Sequence, residues 1–268
     1  MLGSFHIFVF YERNDKKILG RRIIDKIRLV FPSEVKKIAD LAEIKRKASL
    51  YQTFLKRDDL CFDVGANMGN RIDPFIEIGA RVVAVEPQIK CYKFLLKKYG
   101  NRISVVKKGL GATESVKDFY ISNESTISSF SSEWINKVKD TNRFTNKNWD
   151  KKVSVEITTL DNLIEQYGIP KYIKIDVEGY ELEVLKGLSQ PIEMISFEYT
   201  VPEQPELAML CIEEIEKSNK NIECNYSVGE DMVWALREWL PAELMKRHII
   251  SEVFNSTSFG DIFVRNRQ

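Results

Sequence analysis

Histidine is scarce: His6 and His248 are the only two in 268 residues, so a metal centre built on several imidazoles is not expected. The four cysteines, Cys61, Cys91, Cys211 and Cys224, form no C-x-x-C pair. Their scatter argues against a disulfide framework and a zinc knuckle, and it fits a reduced cytoplasmic compartment. An excess of either charge is missing too, with 40 basic residues against 39 acidic ones. No broad basic field is available to hold a nucleic-acid backbone, so that partner is not expected. Local basic clusters such as Lys36, Lys37, Lys45, Arg46 and Lys47 read as solvated helix faces. No apolar run reaches membrane-spanning length, which leaves no integral span. The apolar opening MLGSFHIFVFY lacks a basic flank and a small-residue cleavage site. It reads as an element packing on the body rather than a signal peptide, with a peripheral membrane contact as the alternative.

What is present is an ordinary globular composition, 44% hydrophobic and 11% aromatic, with enough apolar residues for a core that needs no staples. Residues 20–57 read as helical: Ile23, Ile27 and Val30, then Leu41, Ile44 and Ala48, recur at helical spacing. Phe31-Pro32-Ser33 punctuates the two stretches, with Ser33 as the expected N-cap. Residues 1–57 are therefore expected to be an N-terminal helical extension packing on the core, and residues 58–268 the main domain. From residue 60 onward the pattern alternates. Strands are expected at 60–64, 81–85, 103–106, 116–121, 153–158, 172–177, 192–198, 222–228 and 261–265. Helices are expected at 71–78, 90–99, 160–167, 181–188 and 206–218. Such alternation predicts right-handed crossovers and a doubly wound, Rossmann-like α/β sheet. Two segments break the rhythm, 122–150 and 229–258. Both are expected to be lid-like insertions, and the first carries six serines ahead of Trp134.

The most informative stretch is DVGANMGN, from Asp63 to Asn70. It follows an apolar strand and opens a helix with Ile72, Phe75 and Ile76 on one face. A glycine loop in that place lets a ligand approach the backbone and aims N–H groups and the helix dipole at it. Glu86-Pro87 follows the second strand, roughly 20 residues on, where a carboxylate can accept hydrogen bonds from ribose hydroxyls. The loop lacks the G-x-G-x-x-G of a pyrophosphate site, and Asp63 would repel a pyrophosphate. An amino group and a sulfonium suit it better, which points to S-adenosylmethionine. The expected cofactor set is Asp63, Gly65, Ala66, Asn67, Gly69, Glu86 and Pro87, with Gly109 and Leu110 beyond the third strand and Asp176.

A second motif, residues 172–180, is a strand running into a turn. Asp176 sits at its carboxyl end, where open α/β sheets hold their ligands. Glu178 follows in the turn, and Glu198 ends the next strand, so the three could form one acidic rim. A general base for a hydroxyl is one role and a divalent cation site another. A third is structural, with Glu178 capping the next helix. Asp176 and Glu178 are the expected catalytic residues. Without a histidine to complete a ligand set no metal is expected, a hard divalent cation being the minority option. Ser125, Thr126, Ser128 and Trp134, with Glu198, are the expected acceptor-binding residues, because hydroxyls and aromatics suit a sugar. The competing reading of that segment is a surface insertion with a short amphipathic helix around Trp134.

These motifs together carry a resemblance. D-V-G-A-N-x-G from Asp63, V-E-P from Val85, T-L-D from Thr159 and I-K-I-D-V-E-G-Y-E from Ile173 resemble the FkbM family of methyltransferases. The resemblance covers roughly residues 60–200. It implies a class I methyltransferase fold, a mostly parallel seven-stranded sheet whose last strand is antiparallel. It also implies S-adenosylmethionine as cofactor and O-methylation of a sugar, polyketide or similar small molecule. It assigns Asp63, Gly65, Asn67 and Gly69 to the methionine end, Glu86 to the ribose and Asp176 to the junction with the acceptor. A cofactor-binding module without chemistry and a nicotinamide-dependent oxidoreductase are the alternatives.

Overall fold

The computed structural model of the chain describes residues 32–267. The apolar opening segment and the helical stretch expected over residues 20–31 lie outside the described residues. Helix α1 runs Pro32–Tyr51, with proline in its first turn, where the missing N–H costs nothing. Ser33, expected as the cap, lies inside that turn. The chain divides into compact units after Lys45, so the boundary falls within α1, and the larger unit begins at Arg46.

Beyond α1, the elements of the larger unit in chain order are β1 Leu60–Val64, α2 Ile72–Ile78, β2 Arg81–Val85, α3 Ile89–Tyr99, β3 Ser104–Val106, β4 Gly109–Leu110, β5 Ser115–Ile121 and α4 Ser132–Asp140. Next come β6 Lys151–Thr158, α5 Leu160–Tyr167, β7 Tyr172–Ile175, α6 Glu181–Leu185, β8 Met194–Thr200 and α7 Pro205–Ser218. The chain ends with β9 Ile222–Val228, β10 Leu240–Pro241, α8 Ala242–Ile249, α9 Glu252–Asn255 and β11 Phe259–Asn266.

Eight of the strands form one sheet in the order β10-β9-β11-β8-β7-β1-β2-β3. Strands β8, β7, β1, β2 and β3 are parallel, and β11 enters antiparallel between β8 and β9. This is the expected class I arrangement, a mostly parallel sheet with an antiparallel last strand, extended by the two-residue β10. The central strands are buried on both faces, which is why they read as continuous apolar runs. Alternation sorts their side chains. Leu60, Phe62 and Val64 join Ile173, Ile175 and Phe197 in the core under α5, α7 and α8. Cys61, Val82, Ala84 and Tyr172 pack on the other face with Ile72, Phe75 and Leu95. Tyr51, at the end of α1, closes that second core, its ring 4.8 Å from Phe75.

Two of the expected strands leave the main sheet. β5 and β6 pair antiparallel with each other, and β4 joins β6 to make a separate sheet in the order β4-β6-β5. Most of their residues are solvent-exposed, unlike those of the central strands. The 122–150 segment connects this hairpin. It holds α4, whose Trp134, Ile135 and Val138 form a small core with Ile127 and Trp149. The 229–258 segment, between β9 and β11, contains β10, α8 and α9.

Candidate active site

A cavity of about 480 Å³ lies at the carboxyl ends of β1, β2, β7 and β8. The glycine loop forms one wall. Gly65 has φ +84°, and a Cβ there would lie 1.8 Å from the backbone oxygen of Asp176, so only glycine fits. The Gly65 and Ala66 N–H groups donate to Val85 O at 3.0 and 3.1 Å, pinning the loop to the end of β2. Asn67 also takes a positive φ, +44°, a conformation asparagine tolerates better than most residues. Gly69 serves the turn rather than the wall: at φ +83° a Cβ would meet the Tyr99 hydroxyl at 2.6 Å.

Glu86, at the tip of β2, is buried and accepts from the Asn67 N–H at 2.8 Å and the Gln88 N–H at 2.6 Å. Burial pushes its carboxyl up to about 7 against those two hydrogen bonds. Each oxygen keeps acceptor capacity for a ligand hydroxyl. Asp63, in β1, is also buried. Burial raises it to about 7, although Lys174 and Arg71 pull the other way. Among the described residues its Oδ2 has no hydrogen-bond partner.

Across the cavity, Asp176, Glu178 and Glu198 each bring a carboxylate oxygen within 4.8 Å of the others. This is the acidic rim expected from the sequence, and its spacing is one a hard cation could accept. Burial first, and then the charge of Asp176, push Glu178 and Glu198 well above the usual carboxylate range. Glu178 does not cap the helix beyond it. The helix has no side-chain cap, and Glu181, its first residue, ties the turn before it: Oε1 accepts from the Val177 and Gly179 N–H groups at 3.0 and 3.2 Å. Glu178 itself has φ +56°, a strained value for a residue with a side chain, held by the turn around it.

Behind the rim runs a chain of alternating charges that the sequence pattern does not reveal. Lys174, fully buried in β7, lies 3.1 Å from Asp176 Oδ2 and 2.7 Å from Asp261 Oδ1. Burial works against its charge, yet Asp176 and Asp261 hold it protonated above its ordinary value. Asp261 Oδ2 is 3.6 Å from Arg71, which pairs with Glu230, which pairs with Lys47. Period-two alternation offered one signal, since it puts Lys174 on the same strand face as Asp176. The partners Asp261 and Glu230 come from distant points in the chain, and nothing local announces them.

The serine-rich segment reaches the cavity through Ser125, Thr126 and Ser128. Two of these hydroxyls are already engaged. Ser125 Oγ donates to Asn67 Oδ1 at 3.3 Å and Ser128 Oγ to Gln88 Oε1 at 3.3 Å, while the neighbouring Ser129 Oγ donates to Glu178 O at 2.6 Å. The serines thus tie the insertion to the ends of β1, β2 and β7. Trp134 departs from the expectation. Its ring is fully buried against Gly179 and does not line the cavity, because the amphipathic α4 turns it inward. Phe144, Phe130 and Phe259 supply the aromatic wall instead. Asp63, Gly65, Ala66, Asn67, Glu86 and Pro87 all line the cavity, as do Gly109 and Leu110. So do Asp176, Glu178 and Glu198.

Strand order and site together define a class I methyltransferase domain. The family model described as the methyltransferase FkbM domain matches residues 63–229, and the chain belongs to that family. Hexuronic acid methyltransferase AglP of Haloferax volcanii is 28% identical over 167 residues, covering 61% of this chain and 64% of that protein. The match therefore spans just under two thirds of the relative. Among solved structures, a precorrin-6Y C5,15-methyltransferase from Geobacter metallireducens superposes with TM-score 0.42 at 10% identity, covering 84% of this chain and 87% of that one. TYW2 of P. horikoshii in complex with MeSAdo gives TM-score 0.40 at 12% identity, covering 82% and 61%.

Proposed function

We propose that the protein is an S-adenosylmethionine-dependent methyltransferase acting on a hydroxyl of a sugar or another polyhydroxylated small molecule, such as a polyketide. One observation carries the reading. Gly65, Ala66 and Asn67 of the glycine turn, the Glu86 carboxylate and Asp176 come from three strand ends and border one cavity of about 480 Å³, a size typical of small-molecule sites. The chain's residues suit the cofactor. Asp63 Oδ2 lacks a protein partner among the described residues and suits an ammonium, and Glu86 keeps lone pairs for ribose hydroxyls. The relative's name, a hexuronic acid methyltransferase, supports a carbohydrate acceptor. Four buried, unpaired thiols fit a cytoplasmic location. Among the described residues no helix is long and apolar enough to cross a membrane.

When bound, S-adenosylmethionine supplies a methyl group already activated on a sulfonium. The protein's task is then alignment and exclusion of water. Asp176, oriented by Lys174 at 3.1 Å, takes the proton of the acceptor hydroxyl as its oxygen attacks. Glu178 and Glu198, whose carboxyls burial and the Asp176 charge push upward, form hydrogen bonds with neighbouring hydroxyls of the acceptor. Phe144 and Phe259 cover the acceptor.

The test is calorimetry with S-adenosylmethionine and S-adenosylhomocysteine, and then labelled methyl transfer to a panel of sugars and uronic acids. Asp176→Asn should lower turnover by about 100-fold or more while leaving S-adenosylhomocysteine affinity within about threefold. Equal loss of both would make Asp176 a cofactor ligand only. No heat with either ligand would defeat the reading.

A further inference from the structure

Arg71 stands two residues beyond Gly69, just ahead of α2, and its side chain belongs to the cavity wall. The side chain is nine-tenths buried, which is costly for a guanidinium unless a carboxylate meets it. Glu230 does so with both oxygens: Nη1 donates to Oε2 at 2.6 Å and Nη2 to Oε1 at 2.9 Å. A two-pronged hold of this kind is what guanidinium offers to any carboxylate, including that of an amino acid.

The two partners are unequal. Arg71 is anchored, with Asp261 Oδ2 at 3.6 Å on its inner side and Met232 Sδ at 3.5 Å. Glu230 comes from the turn after β9, and its side chain is 55% exposed. It has a second cation in reach, Lys47 at 2.7 Å. Its backbone is held independently, because Arg46 donates to the carbonyls of Glu230 and Asp231. The Glu230 carboxylate can therefore leave the guanidinium without the turn unfolding and without losing its charge partner. Asp63, whose Oδ2 has no partner among the described residues, lines the same cavity. A buried carboxylate and a buried guanidinium beside one glycine turn match the two charges of an amino acid.

On the reading of this cavity as an adenosyl amino acid site, we propose that Arg71 binds the α-carboxylate of the ligand, and that Glu230 occupies the same guanidinium in the ligand-free protein and yields it on binding. Glu230 is an internal competitor. Burial disfavours its charge, but Arg71 and Lys47 overcome that and hold its carboxyl at about 2, so it competes as an anion across the working pH range.

Calorimetry comparing S-adenosylhomocysteine with its decarboxylated analogue tests this on the wild type, Arg71→Gln and Glu230→Gln. The wild type should bind the decarboxylated ligand at least about 10-fold more weakly. Arg71→Gln should reduce that preference to about twofold or less. Glu230→Gln should bind S-adenosylhomocysteine several-fold more tightly and leave affinity for the decarboxylated ligand unchanged. Equal wild-type affinity for the two ligands overturns the proposal, and so does an Arg71→Gln variant that keeps the full preference. Weaker S-adenosylhomocysteine binding by Glu230→Gln overturns the competitor role and makes Glu230 a support for Arg71. Should Arg71→Gln fail to fold in a thermal melt, the wild-type ligand pair and Glu230→Gln decide. A wild type that binds neither ligand overturns the cofactor reading itself, a result distinct from binding both equally.

Discussion

Asp63 and Glu86 meet the cavity from neighbouring strands, and burial governs the proton on each. Both carboxyls titrate at about 7 in the folded chain, against ordinary values of 3.8 and 4.5. A raised folded value means that the native state holds more protons than the unfolded one between those limits. Their contribution to stability is full below about 4 and declines as pH rises through 7. In the proposed binding mode ligand binding runs the other way, because an ammonium needs Asp63 ionised and ribose hydroxyls need a Glu86 acceptor. S-adenosylhomocysteine should bind more tightly at pH 8 than at pH 6, with protons released at the lower pH. Calorimetry in two buffers of different ionisation enthalpy measures the release, and identical heats in both would show that neither carboxyl changes state. Asp63→Asn should remove part of the pH dependence.

At the scale of elements, the 122–150 segment is a small body with its own core. Ser131 caps α4, accepting from the Trp134 N–H at 3.0 Å, and Trp149 Nε1 donates to Ile127 O at 2.6 Å. Arg143 fastens the far side to Val201 O at 3.1 Å, Glu203 at 2.8 Å and Ser258 O at 2.8 Å. Trp134→Ala removes the centre of this body, a change worth about 3–5 kcal/mol in a packed core. Hydrogen exchange should then show loss of protection confined to this segment while β1 and β7 stay protected. Uniform loss across the central strands would mean that α4 is part of the main core. The central strands were legible because burial on both faces leaves an unbroken apolar run, as in Leu60–Val64. That β5 and β6 pair with each other outside the main sheet was not, since a strand's sequence does not carry the identity of its neighbour. Trp134 misled for a related reason: an aromatic on an amphipathic helix reads alike whether it faces a ligand or a core.

At the scale of the whole molecule, the charges from Lys47 through Glu230, Arg71, Asp261 and Lys174 to Asp176 join α1, the β9–β10 turn, the glycine-loop helix, β11 and β7. The motif residues Asp63, Glu86 and Asp176 could be read from the chain because each sits at a strand end set by local pattern. Asp261 and Glu230 matter only through partners that folding brings to them. Removing the buried cation with Lys174→Met takes the ion-pair partner from Asp176 and leaves Asp261 only Arg71 at 3.6 Å, a loss of about 3–5 kcal/mol. For a unit of this size that is a fall in Tm of roughly 6–20 °C, measurable by calorimetric melting. An unchanged Tm would show that the network serves the ligand rather than the fold.

The contact between Gly65 and the Asp176 carbonyl has a mechanical consequence. With no methyl group to separate them, the two main chains abut where the glycine turn meets the end of β7. Neither can be displaced without dragging the other. The spacing between the glycine turn and Asp176 is thus set during folding, and a side chain at position 65 would have to force the two apart.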